Sequence, residues 1–147
     1  MLKNSKKKSL KINVILDDGA KMPTKAHDTD AGFDLYSPCV FTLKSHNSIA
    51  LDTGVHFEIP RGYVGFIKSK SGLNVYNNIT CEGVIDSGYT GSIVAKLYNN
   101  SDFDYNFYTG QKVTQIVFLP IPEIELEEVK HFDETARGDN GFGSSGK

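Results

Sequence analysis

The segment at residues 83–91 places an aspartate and a tyrosine among closely spaced glycines. This spacing predicts a tight hairpin that joins Val84-Ile85 to Ile93-Val94. Backbone donors and acceptors at the mouth of a hairpin could pair with the edge of a planar base, while Asp86 could hold a water molecule and Tyr89 could stack on a sugar. A plain turn with a capping aspartate explains the segment equally well when it is taken alone.

A second segment holds three acidic residues within seven positions, Asp28, Asp30 and Asp34. Carboxylate oxygens so placed could bind a hard cation such as magnesium, or accept hydrogen bonds from its waters. The pattern is not an EF-hand loop, because its glycine comes one place early and no glutamate follows at the required distance. An acidic turn is the simpler interpretation of this segment alone.

Two further segments carry groups that suit phosphate. In residues 69–73, Lys70, Ser71 and Gly72 offer a cation, a hydroxyl and an approachable backbone amide, although serine–glycine turns near a lysine are common. Gln115 interrupts an apolar run at residues 113–119, where a buried amide needs a partner. That partner is either a ligand or a neighbouring group, so a satisfied core or interface glutamine is the alternative.

The end of the chain, residues 132–147, is dominated by glycine and serine. This composition predicts an arm that is mobile when no ligand is bound. Arg137 could bind a terminal phosphate with its fork of donors. Gly143 and Ser144 could surround oxygens with backbone amides, and Phe142 could lie over a base. A flexible linker is the alternative.

Short alternating segments between turn residues make up the rest of the chain. Clusters of glycine, proline, asparagine and aspartate recur about every 8–12 residues, which is typical of a sandwich or barrel. Alternation and apolar runs predict strands at residues 10–16, 55–59, 63–67, 93–98 and 113–119, with a weaker one at 124–129. No segment predicts a helix of more than two turns. The chain is therefore interpreted as all-β, with one domain at residues 1–131 and an arm at 132–147.

Composition restricts the partners. The 147 residues carry a net charge of −2, which gives no general attraction to nucleic acid polymers or acidic lipid. No apolar run approaches the roughly 18 residues of a membrane span. The basic residues 1–8 lack the apolar stretch of a secretory signal. Cys39 and Cys81 form no metal-ligand spacing with the four histidines. One disulfide is possible by number alone, but without a secretory signal we expect two reduced, buried thiols in a cytoplasmic protein.

Taken in order, the five segments resemble the five motifs of the trimeric deoxyuridine triphosphatase (dUTPase) family, from about Ala31 to Gly146. The resemblance implies a jelly-roll β-sandwich in a homotrimer, with each active site between subunits and closed by the C-terminal arm of another chain. It implies magnesium-dependent hydrolysis of dUTP to dUMP and pyrophosphate, which keeps uracil out of DNA and supplies dUMP for thymidylate synthesis. The compartment would be the cytoplasm, or the host cytoplasm for a viral protein.

The resemblance also implies roles for the segment at residues 83–91. Asp86 would position and deprotonate the water that attacks the α-phosphorus in line. Tyr89 would pack under the deoxyribose and leave no room for a 2′-hydroxyl. The backbone of Gly83, Val84 and Ile85 would pair with uracil as a complementary base does.

Contacts with the phosphates, the metal and the outer face of the base follow from the other four motifs. The implied phosphate ligands are Lys70, Ser71, Gly72 and Gln115, with Arg137, Gly143 and Ser144 at the γ-phosphate. Asp34 would hold a water molecule bound to magnesium rather than the ion itself. Phe142 would stack over uracil.

The sequence departs from the family pattern at several positions. The family usually has arginine where Lys70 stands, and a point-charge ammonium loses bidentate geometry. It usually has an acid and an arginine at the positions of Gln111 and Lys112. The loop at residues 73–81 is shorter than in many members, which affects the assignment of Thr80 to a base-facing contact.

Two other functions stay open. A deoxycytidine triphosphate deaminase shares this fold, but those relatives carry a catalytic glutamate after the hairpin, where this chain has Lys96. Release of ammonia would distinguish the deaminase from the hydrolase, which releases pyrophosphate. A regulatory protein could instead use nucleotide-dependent ordering of the arm as a switch for a protein partner.

Overall fold

Strands dominate the computed structural model, which describes residues 9–141. This part of the chain forms ten strands and one short helix. In order they are β1 Asn13–Leu16, β2 Phe33–Tyr36, β3 Phe41–Leu43, β4 Ser48–Asp52, β5 Val55–Glu58, β6 Tyr63–Lys68, α1 Ser71–Asn77, β7 Ile79–Ile85, β8 Val94–Asn99, β9 Tyr105–Phe107 and β10 Lys112–Pro120. The predicted all-β class is confirmed, and α1 is too short to cross a membrane.

All the strand pairs are antiparallel, and they form one large sheet and two small ones. The large sheet has the order β2-β10-β6-β7-β8-β4, while β1 pairs with β5 and β3 pairs with β9. Buried side chains from the three sheets share one core, to which Leu35, Ile116, Phe57 and Phe107 contribute. This layered arrangement is the one expected of a sandwich, because each sheet buries one face against another.

The predicted strands at residues 55–59, 63–67 and 113–119 correspond to β5, β6 and β10. The alternation at residues 93–98 is also confirmed, because Ile93, Ala95 and Leu97 are buried while the residues between them are not. Of the first predicted segment, residues 10–16, only Asn13–Leu16 form a strand.

The weaker strand predicted at residues 124–129 is wrong. Residues 121–141 contain no strand and lie exposed, with Ile124 72% and Leu126 92% accessible. Pro120 and Pro122 lack the backbone N–H that would continue a ladder. The division of the chain at residue 131 stays a prediction.

The tight hairpin predicted between Val84-Ile85 and Ile93-Val94 is also wrong. The β7–β8 ladder ends at the pair Cys81–Leu97, and residues 82–85 pair with β6 instead. The Ile93 N–H donates to the carbonyl of Val55 at 2.8 Å. The Ile93 carbonyl also accepts from the Thr53 N–H, and the buried Ile93 side chain joins the core, so this arm of the loop is bonded to the β4–β5 turn and not to β7.

Helix α1 spans Ser71–Asn77, so it takes up the first half of the loop that the sequence predicted at residues 73–81. The helix ends at Asn78, whose left-handed φ of 52° lets its N–H reach the carbonyls of Asn74 and Leu73. Leu73 is the buried residue of the helix. Both cysteines are unpaired thiols, but Cys81 is buried whereas Cys39 is exposed, so the expected burial holds for one of the two.

Candidate active site

Asp34 lies at the centre of a cluster built by three neighbouring strands. Its strand β2 pairs with β10 so that Asp34 is opposite Gln115, which in turn is opposite Lys68 of β6. The Asp34 side chain is nearly inaccessible, and its two oxygens meet two ammonium groups. Lys70 Nζ is 2.5 Å from Oδ1, and Lys112 Nζ is 2.6 Å from Oδ2. We call these three residues the Lys-Asp-Lys cluster.

The cluster is positively charged overall. Burial by itself would raise the pKa of Asp34, but hydrogen bonds and charges from Lys112 and Lys70 outweigh it and hold that pKa below the usual range. The hydrogen bond between Lys112 and Asp34 also raises the pKa of Lys112. Two ammonium groups therefore share one carboxylate. Both lysine side chains also reach the surface, being 26% and 42% accessible, so the cluster can attract an anion from solvent.

Gln115 joins the cluster to the start of α1. Its Nε2 donates to the Ser69 carbonyl at 3.0 Å, and the Ser69 hydroxyl is in turn held by the backbone of Cys81. A side chain at Gly32 would collide with the carboxamide of Gln115, which explains the glycine. Gln115 is thus a satisfied, half-buried glutamine here, and its predicted phosphate contact stays a prediction.

Ser71 and Gly72 follow Lys70 at the exposed start of α1. A β-carbon at Gly72 would meet no atom within 4 Å, so core packing does not require this glycine. The backbone at this position is open to a ligand. The structure therefore brings together Asp34, Lys70 and Gln115 of the predicted site, with the two small residues beside them.

The loop after β7 presents Asp86 and Tyr89 to solvent. The Tyr89 N–H closes a turn onto the Asp86 carbonyl, and Gly88 has the positive φ of 89° that this turn requires. The Tyr89 hydroxyl donates to the Ser92 carbonyl at 3.0 Å. A β-carbon at Gly91 would overlap the Tyr89 ring, so glycine at this position lets the ring fold back over the loop.

The second half of β7 has one open edge. Residues 82–85 pair with β6 on one side, while β8 has already turned away on the other. In an antiparallel strand each residue directs its N–H and C=O to one side, and the next residue directs them to the other. Within residues 9–141, this half of β7 therefore carries backbone donors and acceptors that no other strand pairs with. Val84 is 61% exposed at this edge. The predicted pairing of this edge with a planar base stays a prediction, and the geometry that supports the edge is not a hairpin.

The structure does not bring Asp86 to the Lys-Asp-Lys cluster of the same chain. Lys68 is opposite Glu82, whereas Gly65 is opposite Ile85. Asp86 thus lies four residues along β7 from the level of Lys68, about 14 Å at 3.4 Å per residue. The two groups occupy opposite ends of the β6–β7 pair.

The remaining predicted residues are placed as follows. Thr80 lies where β7 is flanked by β8, and its hydroxyl accepts a hydrogen bond from Asn100 Nδ2 at 3.3 Å. Arg137 is exposed and donates through Nε to the Asn140 carbonyl at 3.1 Å. Phe142, Gly143 and Ser144 lie outside the described residues.

Residues 9–141 contain no group of three His, Cys, Asp or Glu side chains that could hold a metal ion. Both oxygens of Asp34 are engaged by lysines, and Asp30 accepts the backbone N–H of His27. The described residues therefore do not fit a dedicated protein cage for magnesium. Magnesium in phosphoryl enzymes is commonly held by one or two carboxylates together with substrate phosphates.

Sequence reasoning did not find that Lys112 pairs with Asp34, and it did not single out the bridge made by His56. Lys112 appeared only as a departure from a family motif, and its pairing with Asp34 needed the register of β2 and β10. His56 bridges Thr90 and Asp17, which are 34 and 39 positions away in the chain. No local spacing could have revealed this contact.

The fold and the candidate site define an all-β protein with one cationic, anion-attracting cluster and, separately, an open strand edge beside an exposed carboxylate. The family model named dUTPase matches residues 18–146, and the chain belongs to the dUTPase family.

Relatives and solved structures agree with this assignment. The deoxyuridine 5′-triphosphate nucleotidohydrolase of Clostridium tetani is 38% identical over 142 residues, which cover 95% of this chain and 97% of the relative. The enzyme of the same name from Swinepox virus is 40% identical, covering 90% and 94%.

Among solved structures, the dUTPase of Staphylococcus bacteriophage 80alpha with dUpNHpp has a TM-score of 0.88 at 30% identity, covering 95% of this chain and all of that one. A variant dUTPase from S. aureus phage phi11, described as revealing the coordination of a structural Mg(II) ion, has a TM-score of 0.78 at 28% identity. That match covers 85% of this chain and 100% of the phage chain.

Proposed function

We propose that this protein hydrolyses dUTP to dUMP and pyrophosphate. The observation that carries the proposal is that one chain carries both a net-positive Lys-Asp-Lys cluster and, at the other end of the β6–β7 pair, an exposed Asp86 beside an open strand edge. Membership of the dUTPase family and the names of the relatives support it. The similar phage 80alpha enzyme binds dUpNHpp, a dUTP analogue.

The separation of about 14 Å between the two halves of the site favours assembly between chains. In a homotrimer, Asp86 of one copy would face the Lys-Asp-Lys cluster of another. The exposed apolar side chains Ile124, Leu126 and Phe132 suit a segment that lies on a neighbouring copy rather than on its own core. A C-terminal arm would then reach a site that its own chain does not build.

Base selection would rest on the open half of β7. Backbone groups of Gly83, Val84 and Ile85 present a fixed pattern of donors and acceptors that suits uracil. Cytosine, with that pattern reversed, would leave buried groups unpaired, which is costly. The extra methyl of thymine would have to displace a backbone held rigidly by β6. The ring of Tyr89 would pack against the sugar and exclude a 2′-hydroxyl.

Hydrolysis would rest on alignment and charge. Lys70 and Lys112 would attract the triphosphate, with Ser71 and Gly72 offering hydroxyl and backbone contacts and Gln115 holding the loop in place. Asp86 would accept a proton from the attacking water, general-base help typically worth ~10²–10⁴ in rate. Magnesium bound to the phosphates would neutralise part of their charge. Arg137, with Phe142, Gly143 and Ser144, would close the site from the arm.

A regulatory role stays a second proposal. The phage 80alpha dUTPases are described as controlling transfer of virulence genes by a G protein-like mechanism. A similar fold with a long exposed arm would allow nucleotide to alter a surface seen by a protein partner. A pull-down with and without the nucleotide would test this role.

The test is a substrate panel of dUTP, dTTP, dCTP and UTP on the purified protein, with and without magnesium. We expect pyrophosphate release from dUTP that strongly exceeds release from the other three and depends on the ion. Asp86→Asn should bind nucleotide yet lose most of the turnover. Ammonia from dCTP, or no pyrophosphate from dUTP with magnesium, would overturn the proposal.

A further inference from the structure

His56 of β5 lies between the end of β1 and the loop that carries Asp86. Its Nδ1 is 2.7 Å from the carbonyl oxygen of Thr90, and its Nε2 is 3.1 Å from Asp17 Oδ2. A carbonyl oxygen and an ionised carboxylate can only accept hydrogen bonds. Only the imidazolium form carries a proton on both ring nitrogens, so it is the form that can make both hydrogen bonds.

The bridge belongs to a set of contacts that hold the second half of the loop. The Ser92 hydroxyl contacts the carboxylate of Asp52, and the Tyr89 hydroxyl donates to the Ser92 carbonyl. The Ile93 carbonyl accepts from both the backbone and the hydroxyl of Thr53. Thr90 directly follows Tyr89 in the chain. The hydrogen bond from His56 therefore holds the backbone next to the residue whose ring is proposed to bind the sugar.

We propose that His56 is a positioning residue of the active-site loop, whose imidazolium fixes Thr90 against Asp17 and thereby aims Tyr89 and Asp86. The inference rests on the proposed hydrolysis, because its catalytic effect is exerted through Asp86. The hydrogen bonds of His56 go to Thr90 and Asp17, and not to the cluster or to the open half of β7. Its loss should misplace the attacking water while leaving the Lys-Asp-Lys cluster intact.

The groups around His56 set the direction of its pH dependence. The Thr90 carbonyl contributes most to raising the pKa of His56, and Asp17 and then Asp52 add to it, while partial burial acts in the opposite direction. Because the folded pKa is raised, the bridge is complete below the ordinary pKa of about 6.5. It is lost as pH rises through the higher folded value, so the loop is released on the alkaline side.

The experiment measures kcat and KM for dUTP between about pH 6 and pH 9 for the wild type, His56→Gln and His56→Ala. We expect both variants to lose about tenfold in kcat near neutral pH, with a smaller change in KM, because a misplacement of the order of 1 Å is costly in catalysis. Their profiles should also lack the alkaline decline that we assign to His56. Unchanged kcat and an unchanged profile in His56→Gln would overturn the proposal.

His46→Gln is the matched control. His46 also pairs with an aspartate, its Nε2 lying 2.8 Å from Asp102 Oδ1. It precedes β4, whose opposite end, at Asp52, contacts Ser92 of the loop. Its loss should leave kcat and the pH profile unchanged. An equal loss of kcat in this variant would show that removing any paired histidine produces the effect, and would also overturn the assignment.

Asp17→Asn keeps the test decisive if the histidine variants fail to fold. The amide oxygen still accepts from Nε2 but the charge is gone, so the alkaline decline and the imidazole titration of His56, followed by NMR, should both move to lower pH. No shift in either would refute the bridge. If the wild type does not hydrolyse dUTP, that result overturns the proposed function but does not decide whether His56 holds the loop. Amide shifts at residues 86–91 during that titration would still show whether His56 holds the loop.

Discussion

At the scale of residues, Asp34 shows both what the sequence can reveal and where it stops. Three acids within seven positions, and the match to a family motif, single out this side chain without any structure. Its two partners, Lys70 and Lys112, lie 36 and 78 positions further along the chain. Only the pairing of β2 with β10, and of β10 with β6, brings them to one carboxylate.

Asp34→Asn should lower the free energy of unfolding by about 2–3 kcal/mol, because it leaves two ammonium groups without their shared, largely buried counter-ion. Urea unfolding at pH 7 measures the change. Asp104→Asn is the control, since Asp104 pairs with Lys44 at 2.7 Å while both side chains are well exposed. That variant should change stability much less. Equal losses in the two variants would contradict the burial argument.

The pH dependence of this stabilisation has a definite sign. The folded pKa of Asp34 is lowered, so its contribution is complete above the ordinary carboxyl value of about 3.9 and is lost as pH falls through the folded value. The difference in unfolding free energy between wild type and Asp34→Asn should therefore narrow on acidification from pH 7 towards pH 3. A constant difference over that range would mean that the carboxylate charge is not what stabilises the cluster.

Gly91→Ala should impair substrate binding more than folding. The added methyl would overlap the Tyr89 ring, which must then leave its place over the loop. We expect a several-fold rise in KM for dUTP with a melting temperature near that of the wild type, because the loop is exposed. If the KM of Gly91→Ala equals that of the wild type, the position of the Tyr89 ring does not govern substrate binding.

At the scale of elements, the strands with strong apolar patterns could be predicted, but their pairing could not. Turn residues and apolar runs identify β5, β6 and β10 almost to the residue. The split of β7 between two partners follows from where the Ile93 side chain finds space in the core. Tertiary packing of this kind leaves no periodic trace in the sequence, and it decides the shape of the candidate base-binding edge.

The short helix α1 was also beyond local reasoning, and its end can be tested. Asn78→Ala should cost about 1 kcal/mol in unfolding free energy, because a left-handed φ of 52° penalises a β-carbon without a compensating polar side chain. Asn78→Gly should cost less or nothing. Urea denaturation of both variants measures the difference, and equal stabilities for alanine and glycine would argue against a left-handed cap.

At the scale of the whole molecule, the separation of Asp86 from the Lys-Asp-Lys cluster leads to a complementation prediction. Asp86→Asn and Lys70→Ala chains should each be nearly inactive alone. Co-assembled in equal amounts, they should recover roughly a quarter of wild-type activity, if random mixing joins an intact cluster to an intact Asp86 in that share of the sites.

The measurement compares the hydrolysis of dUTP by two preparations. In one, the two variants are co-expressed and form mixed assemblies; in the other, they are purified separately and then mixed. Assemblies formed separately should stay nearly inactive. Activity absent from both preparations would mean that each site is built within one chain.

The exposed run at residues 121–141 has a further consequence for how the enzyme would release its product. Fully stretched, this run spans about 70 Å, enough to reach around a neighbouring copy. Such a tether supplies its terminal groups at a local concentration set by its own length and not by the amount of protein in solution. Individual contacts between the arm and the nucleotide can then be weak and short-lived, so product leaves quickly. The arm stays tethered beside the site and can close again over the next substrate.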